Sequence, residues 1–156
     1  MKAASIHELQ KELITLEPKQ LLELCIRLTK YKKENKELLS YLLFEAHDEK
    51  SFIKNIKEEI DILFSEMNRT TAYLTKKTLR KILRFINKFI KYSGSKQTEI
   101  ELRIYFCNKV KSARIPIDSN TVLSNLYHRE TEKIKTILSK LHEDLQYDYK
   151  QEVEEL

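Results

Sequence analysis

The stretch TAYLTKKTLRKILRFINKFIKYSG, residues 71–94, decides the fold. At ~100° per residue, Leu79, Ile82, Leu83, Ile86, Phe89 and Ile90 share one side of a helix. Lys77, Arg80, Lys81, Arg84, Lys88 and Lys91 fall on the opposite side. No strand period fits this pattern, because alternation by two would mix the two sets on both faces. Gly94 marks the helix end, as the residue that most readily takes a left-handed C-cap conformation. One segment therefore carries both an apolar face fit for a core and a concentrated cationic face.

Outward from this helix the same period recurs. Phe52, Ile53, Ile56, Ile60, Leu63, Phe64 and Met67 predict a helix over 49–67, with Asp48 as its cap. Ser5 and Glu8 make a capping box for a helix over 5–15. Pro18 opens a second over 18–32, where its missing N–H costs nothing. Further helices are expected over 35–46, 96–112 and 120–147, the last capped by Asp118 or Ser119. One Gly and two Pro in 156 residues leave too few turn residues for most β and α/β folds. Walker and Rossmann loops, which need several glycines, are excluded. The expected fold is all-α, about seven antiparallel helices in a bundle or short helical stack. It reads as a single domain over 1–147 with an acidic C-terminal tail over 148–156.

A shift of 61 residues aligns Leu21, Leu22, Cys25, Leu28, Lys30 and Tyr31 with Ile82, Leu83, Ile86, Phe89, Lys91 and Tyr92. After one inserted residue, Glu37, Leu38, Leu42 and Phe44 align with Glu99, Ile100, Ile104 and Phe106. Two three-helix repeats are one reading. Chance is the other, since any two amphipathic hairpins align at apolar positions.

Charge is unevenly placed. Residues 1–66 carry 11 basic and 13 acidic side chains, residues 67–117 carry 13 and 2, and residues 118–156 carry 5 and 9. Residues 69–96 hold no Asp or Glu. Like charges at i,i+4 destabilise a helix by a few tenths of a kcal/mol per pair, so the stripe calls for an anionic counterpart. An acidic protein surface, the chain's own acidic tail and a nucleic-acid backbone are the candidates. A merely solvated face is the plain alternative. Tyr73, Tyr92 and Tyr105 lie near the stripe and would strengthen a nucleic-acid reading through stacking.

The sequence supplies little for catalysis. No Glu has a His three residues on, as diiron bundles require. A single Gly forbids a nucleophile elbow. His7, His47, His128 and His142 form no metal-binding spacing with one another or with Cys25 and Cys107. No metal, no cofactor and no enzymatic activity are expected. The longest apolar runs are about four residues, against about 20 for a membrane span, so no membrane partner is expected and a cytoplasmic location is. A homo-oligomer is compatible with the pattern.

The segments from Lys30 to Leu39, from Lys91 to Glu99 and from Leu141 to Tyr149 resemble an uncharacterised family of small, all-helical bacterial proteins. That resemblance implies a bacterial cytoplasmic protein and brings no functional residues with it. The residues themselves point to a non-enzymatic helical adaptor or scaffold whose basic face, Lys77, Arg80, Lys81, Arg84, Lys88 and Lys91, docks an acidic partner. The alternative is a nucleic-acid-binding protein contacting the phosphate backbone through residues 69–96.

Overall fold

Every described element in the computed structural model, which describes residues 2–156, is helical or a turn. Among these residues the chain forms eight α-helices: α1 (Ile6–Ile14), α2 (Pro18–Tyr31), α3 (Lys33–Ser40), α4 (Glu49–Ser65), α5 (Ala72–Ser93), α6 (Lys96–Ser112), α7 (Thr121–Leu138) and α8 (Glu143–Glu154). A π-helical turn, Tyr41–Glu45, follows α3. The all-α expectation holds, with one helix more than the periodicity suggested. The chain divides into two compact units, residues 1–44 and 45–156, where the sequence reading placed one domain over 1–147.

The first unit shows the local signals at work. The Ser5 hydroxyl accepts from the Glu8 N–H at 3.3 Å, and the Glu8 carboxylate accepts from the Ser5 N–H at 2.7 Å. The Ser5 N–H and then its hydroxyl, both donating to the Glu8 carboxylate, hold that carboxyl below its usual range. Pro18 opens α2 as expected. Lys32, extended at φ −142° and ψ 146°, breaks α2 from α3, and Asn35 Nδ2 donates to the free Leu28 carbonyl at 2.8 Å. None of α1, α2 and α3 buries a residue.

The second unit holds the core, and α6 runs through it. Thr98, Ile100, Leu102, Arg103, Ile104, Phe106, Cys107 and Val110 are buried, round about two-thirds of that helix, with Gln97, Glu101, Tyr105 and Asn108 on its wetter side. A helix buried over so wide an arc must be flanked on several sides, and α4, α5 and α7 all pack against α6. Helix α4 contributes Phe52, Ile53, Ile56, Ile60 and Phe64, with the Phe64 ring 6.0 Å from that of Phe106. Helix α5 contributes Leu79, Ile82 and Ile86, and α7 contributes Leu123, Leu126, Tyr127 and Ile134.

Caps set most boundaries. Asp48 accepts from the Ser51 N–H at 3.1 Å and Thr71 from the Leu74 N–H at 3.2 Å. Gly94 takes the left-handed conformation at φ 66°. The Glu49 carboxylate accepts from the Ser93 and Thr98 hydroxyls, which ties the start of α4 to the turn between α5 and α6. Helix α6 ends in a Schellman motif, with Ile115 N–H donating to the Val110 carbonyl at 3.3 Å and Arg114 N–H to that of Lys111 at 2.8 Å. Arg114 occupies the left-handed position, at φ 50°.

Two expectations at the C-terminus are corrected. Asn120, not Asp118 or Ser119, caps α7, accepting from the Val122 and Leu123 N–H groups. The helix expected over 120–147 breaks at 139–142, and the segment expected as a fraying tail is α8. Tyr149 anchors it, donating to Glu101 at 2.8 Å and accepting from Gln97 at 3.1 Å. Tyr127 donates to the Leu156 carbonyl at 2.9 Å.

Candidate anion-binding groove

The polar face of α5 looks onto α7, and between them lies a groove of about 580 Å³. Lys76, Lys77, Arg80 and Arg84 line it from α5, and Arg129 and Lys133 from α7. Leu83, Val122 and Leu126 form its apolar lining. Tyr73, 71% exposed, stands at the groove. The α5 cations repeat because Lys76, Arg80 and Arg84 are each four residues apart. The α7 pair has the same spacing.

Beneath the groove sits a buried ion network. Arg103 on α6 donates through Nη1 to Glu130 at 2.6 Å, through Nη2 to Glu99 at 2.7 Å and to Asn87 at 3.0 Å, and through Nε to Glu99 at 2.9 Å. The Arg103 and Glu130 side chains are only 7% and 4% exposed. The second oxygen of Glu130 accepts from Lys133 at 2.6 Å. Two carboxylates thus face two cations, with no buried side-chain polar atom left unpartnered among the described residues. Asn87 belongs to α5 and Glu130 to α7, so one guanidinium on α6 holds both walls of the groove.

That network neutralises itself and leaves the rim charged. Among the described residues, Lys76, Lys77, Arg80 and Arg84 have no carboxylate at ion-pair distance. Arg129 donates only to the Asn125 carbonyl, at 3.4 Å. Of the six residues singled out from the sequence, Lys77, Arg80 and Arg84 line the groove. Lys81 and Lys91 are exposed outside its lining, and Lys88 lies 4.6 Å over the Phe89 ring. Lys76 lay within the 69–96 stretch but outside the six, Tyr73 was expected only as a stacking neighbour of the stripe, and Arg129 and Lys133 were missed. Arg129 and Lys133 are visible in sequence as a four-residue basic pair, but nothing in sequence says that α7 faces α5.

The acidic tail, one of the three candidate counterparts, bonds elsewhere than to this face. Its bonds run to α6 and α7: Tyr149 to Glu101, Lys111 to the Glu155 carbonyl, and Tyr127 to Leu156. Of the three tyrosines near the stripe, Tyr92 is buried, and Tyr105 donates to Asp61 on α4 at 2.7 Å. Only Tyr73 joins the groove.

Among the described residues, the other reactive groups form no second site near the groove. Burial, then the nearby Glu130 charge, pushes the Cys107 thiol up to about 12, and Cys25 is exposed. His142 caps α8, while His128 lies on α7. No three His, Cys, Asp or Glu side chains cluster to hold a metal among the described residues. No described helix is long and apolar enough to cross a membrane. Compared with protein-family models, curated proteins and solved structures, the chain matches none of them.

Proposed function

We propose that the protein is a non-enzymatic helical interaction protein that docks an acidic segment of a partner protein in the groove between α5 and α7. The observation that carries this reading is the groove's composition. Cations without ion-pair partners stand on both rims, Lys76, Lys77, Arg80 and Arg84 on α5 and Arg129 on α7, and Leu83, Val122 and Leu126 add an apolar lining. An amphipathic acidic helix has the complementary pattern, with apolar anchors one turn apart flanked by carboxylates. A nucleic-acid backbone would use the rims but leave the apolar strip unmatched. Single-strand binding would add several stacking aromatics, and Tyr73 is the one aromatic lining the groove.

The test is fluorescence anisotropy with two sets of labelled probes at low and physiological salt. The first is a 20-residue helical peptide with Leu on one stripe and Glu beside it. The second is random duplex DNA, single-stranded DNA and RNA. The expected result is micromolar binding of the peptide, lost in Arg80→Glu with Arg84→Glu while helicity is kept. Tighter binding of random duplex, falling steeply with salt by counterion release, would replace this reading with the nucleic-acid one. No binding of either probe would reject both and leave a solvated face.

A further inference from the structure

We propose, resting on the docking reading of the groove given above, that the acidic helix it takes is α8 of a second copy of this chain. At ~100° per residue, Asp144, Tyr147, Asp148, Gln151 and Glu155 share the outer side of α8, and all are exposed. Leu145, Tyr149 and Val153 lie on the other side and are partly buried. Residues 143–156 carry 6 acidic and 1 basic side chains, a net of −5. Among the described residues, Asp144, 91% exposed, pairs only with His142, and the Asp148 carboxylate has no ion pair.

The groove offers the matching set. Lys76, Lys77, Arg80, Arg84 and Arg129 are the five lining cations without a carboxylate at ion-pair distance among the described residues. Arg80 and Arg84, like Asp144 and Asp148, stand one turn apart, about 6 Å by helical rise, so the two rows pair in register. Tyr147, 82% exposed in the turn that joins those two aspartates, brings one ring to the apolar lining at Val122 and Leu126. A ring with a hydroxyl suits a contact that is apolar at its centre and wet at its edge. The α5 row repels itself while the groove is empty, and a docked α8 relieves that repulsion.

The way α8 is held makes the guest a second copy. Its inner side is fixed: Tyr149 bonds Glu101 and Gln97 on α6, and Lys111 donates to the Glu155 carbonyl. Those bonds keep α8 on α6 and α7, outside the lining of its own groove, and leave its outer side open. Both faces belong to the compact unit 45–156, so every copy carries one of each. A contact between one copy's α8 and another's groove joins two different surfaces and is heterologous. It rests on charges at an exposed rim, so salt weakens it.

The experiment uses the full chain. Sedimentation equilibrium at low salt over a hundredfold concentration range should show the mass rising above the 18.7 kDa of one chain, and high salt should restore the monomer. Two variants separate the halves of the contact. Arg80→Glu with Arg84→Glu changes the groove, and Asp148→Lys with Glu155→Lys changes α8. All four positions are exposed, and unchanged circular dichroism spectra check that both variants stay folded. Each variant alone should be monomeric. Mixed in equal amounts they should associate again, because an intact α8 then meets an intact groove. A chain monomeric at every concentration overturns this inference, and its binding of the acidic peptide would leave the docking reading standing. Neither association nor peptide binding overturns both. Association that persists in either variant, or that fails to return on mixing, overturns the assignment to these two faces.

Discussion

Replacing Arg103 by Met removes the charge beneath the groove while keeping a long apolar side chain in place. Glu130, 4% exposed on its side chain, then keeps only Lys133 as a partner, at 2.6 Å. Breaking a buried ion pair from one side costs about 3–5 kcal/mol, because the remaining charge stays dry. Two features push the expectation to the lower end. Lys133 still pairs with Glu130, and Glu99, 26% exposed, can turn to water. The expected loss is therefore about 3 kcal/mol, or about 6–12 °C in Tm for a chain of this length. Urea unfolding followed by circular dichroism measures it directly. Arg103→Met combined with Glu130→Met should recover at least half of the loss, since an apolar pair leaves nothing to solvate. A loss under about 1 kcal/mol for the single variant would mean that the network is wet. A double variant no better than the single would refute the account of the cost as an orphaned charge.

Three further outcomes follow from features already described. Arg114→Gly should stabilise the chain by about 1 kcal/mol and Gly94→Ala destabilise it by a similar amount, because both sites need positive φ and neither change alters packing around Gly94; paired urea midpoints check the opposite signs. Burial raises the Asp61 carboxyl, but hydrogen bonds from Lys109 and Tyr105 outweigh it and leave the group below its usual value. Its stabilisation is thus present above pH ~4 and lost as pH falls through the lower folded value. Asp61→Asn should cost about 0.5 kcal/mol at pH 7, after screening of this partly exposed pair, and nothing at pH 2, as read from unfolding at the two pH values. Finally, Arg84→Gln should raise stability by a few tenths of a kcal/mol by relieving repulsion from Arg80 and Lys88, and added salt should raise the Tm of the wild type more than that of the variant.

The helices that sequence located well are those whose ends carry their own chemistry. Helix α6 runs from residue 96 to 112 in both readings, between the Ser95 cap and the end at Ser112. The Ser5 capping box, Pro18, Asp48 and Gly94 also stand where local bonding places them. The break between α7 and α8 is different. Leu138, Leu141 and Leu145 keep helical spacing straight through Ser139–His142, and no Gly or Pro interrupts them. The turn there is set by where α8 packs, through Tyr149 onto Glu101 and Gln97, which are distant in sequence. The same divide explains the groove. Half of the cationic row was readable, because Lys77, Arg80 and Arg84 sit on one amphipathic helix. The opposite rim, Arg129 and Lys133, belongs to the site only through packing against α5. The burial of Arg103 was likewise invisible, since an Arg in a basic stretch reads as surface until α5 and α7 close over it.

The Arg103 clasp has a thermodynamic consequence for the docking proposed above. By tying Asn87 and Glu130 to one guanidinium, it sets the gap between the two cationic rows before any partner arrives. A guest entering such a preset slot loses its own freedom but demands little rearrangement of the host. Improvements in affinity should then come from stiffening the guest, for instance by stapling the acidic helix, and should appear as slower dissociation. Loosening the clasp would shift that entropic burden back onto the host, so Arg103→Met would weaken capture of a stapled and of a floppy guest by about the same factor.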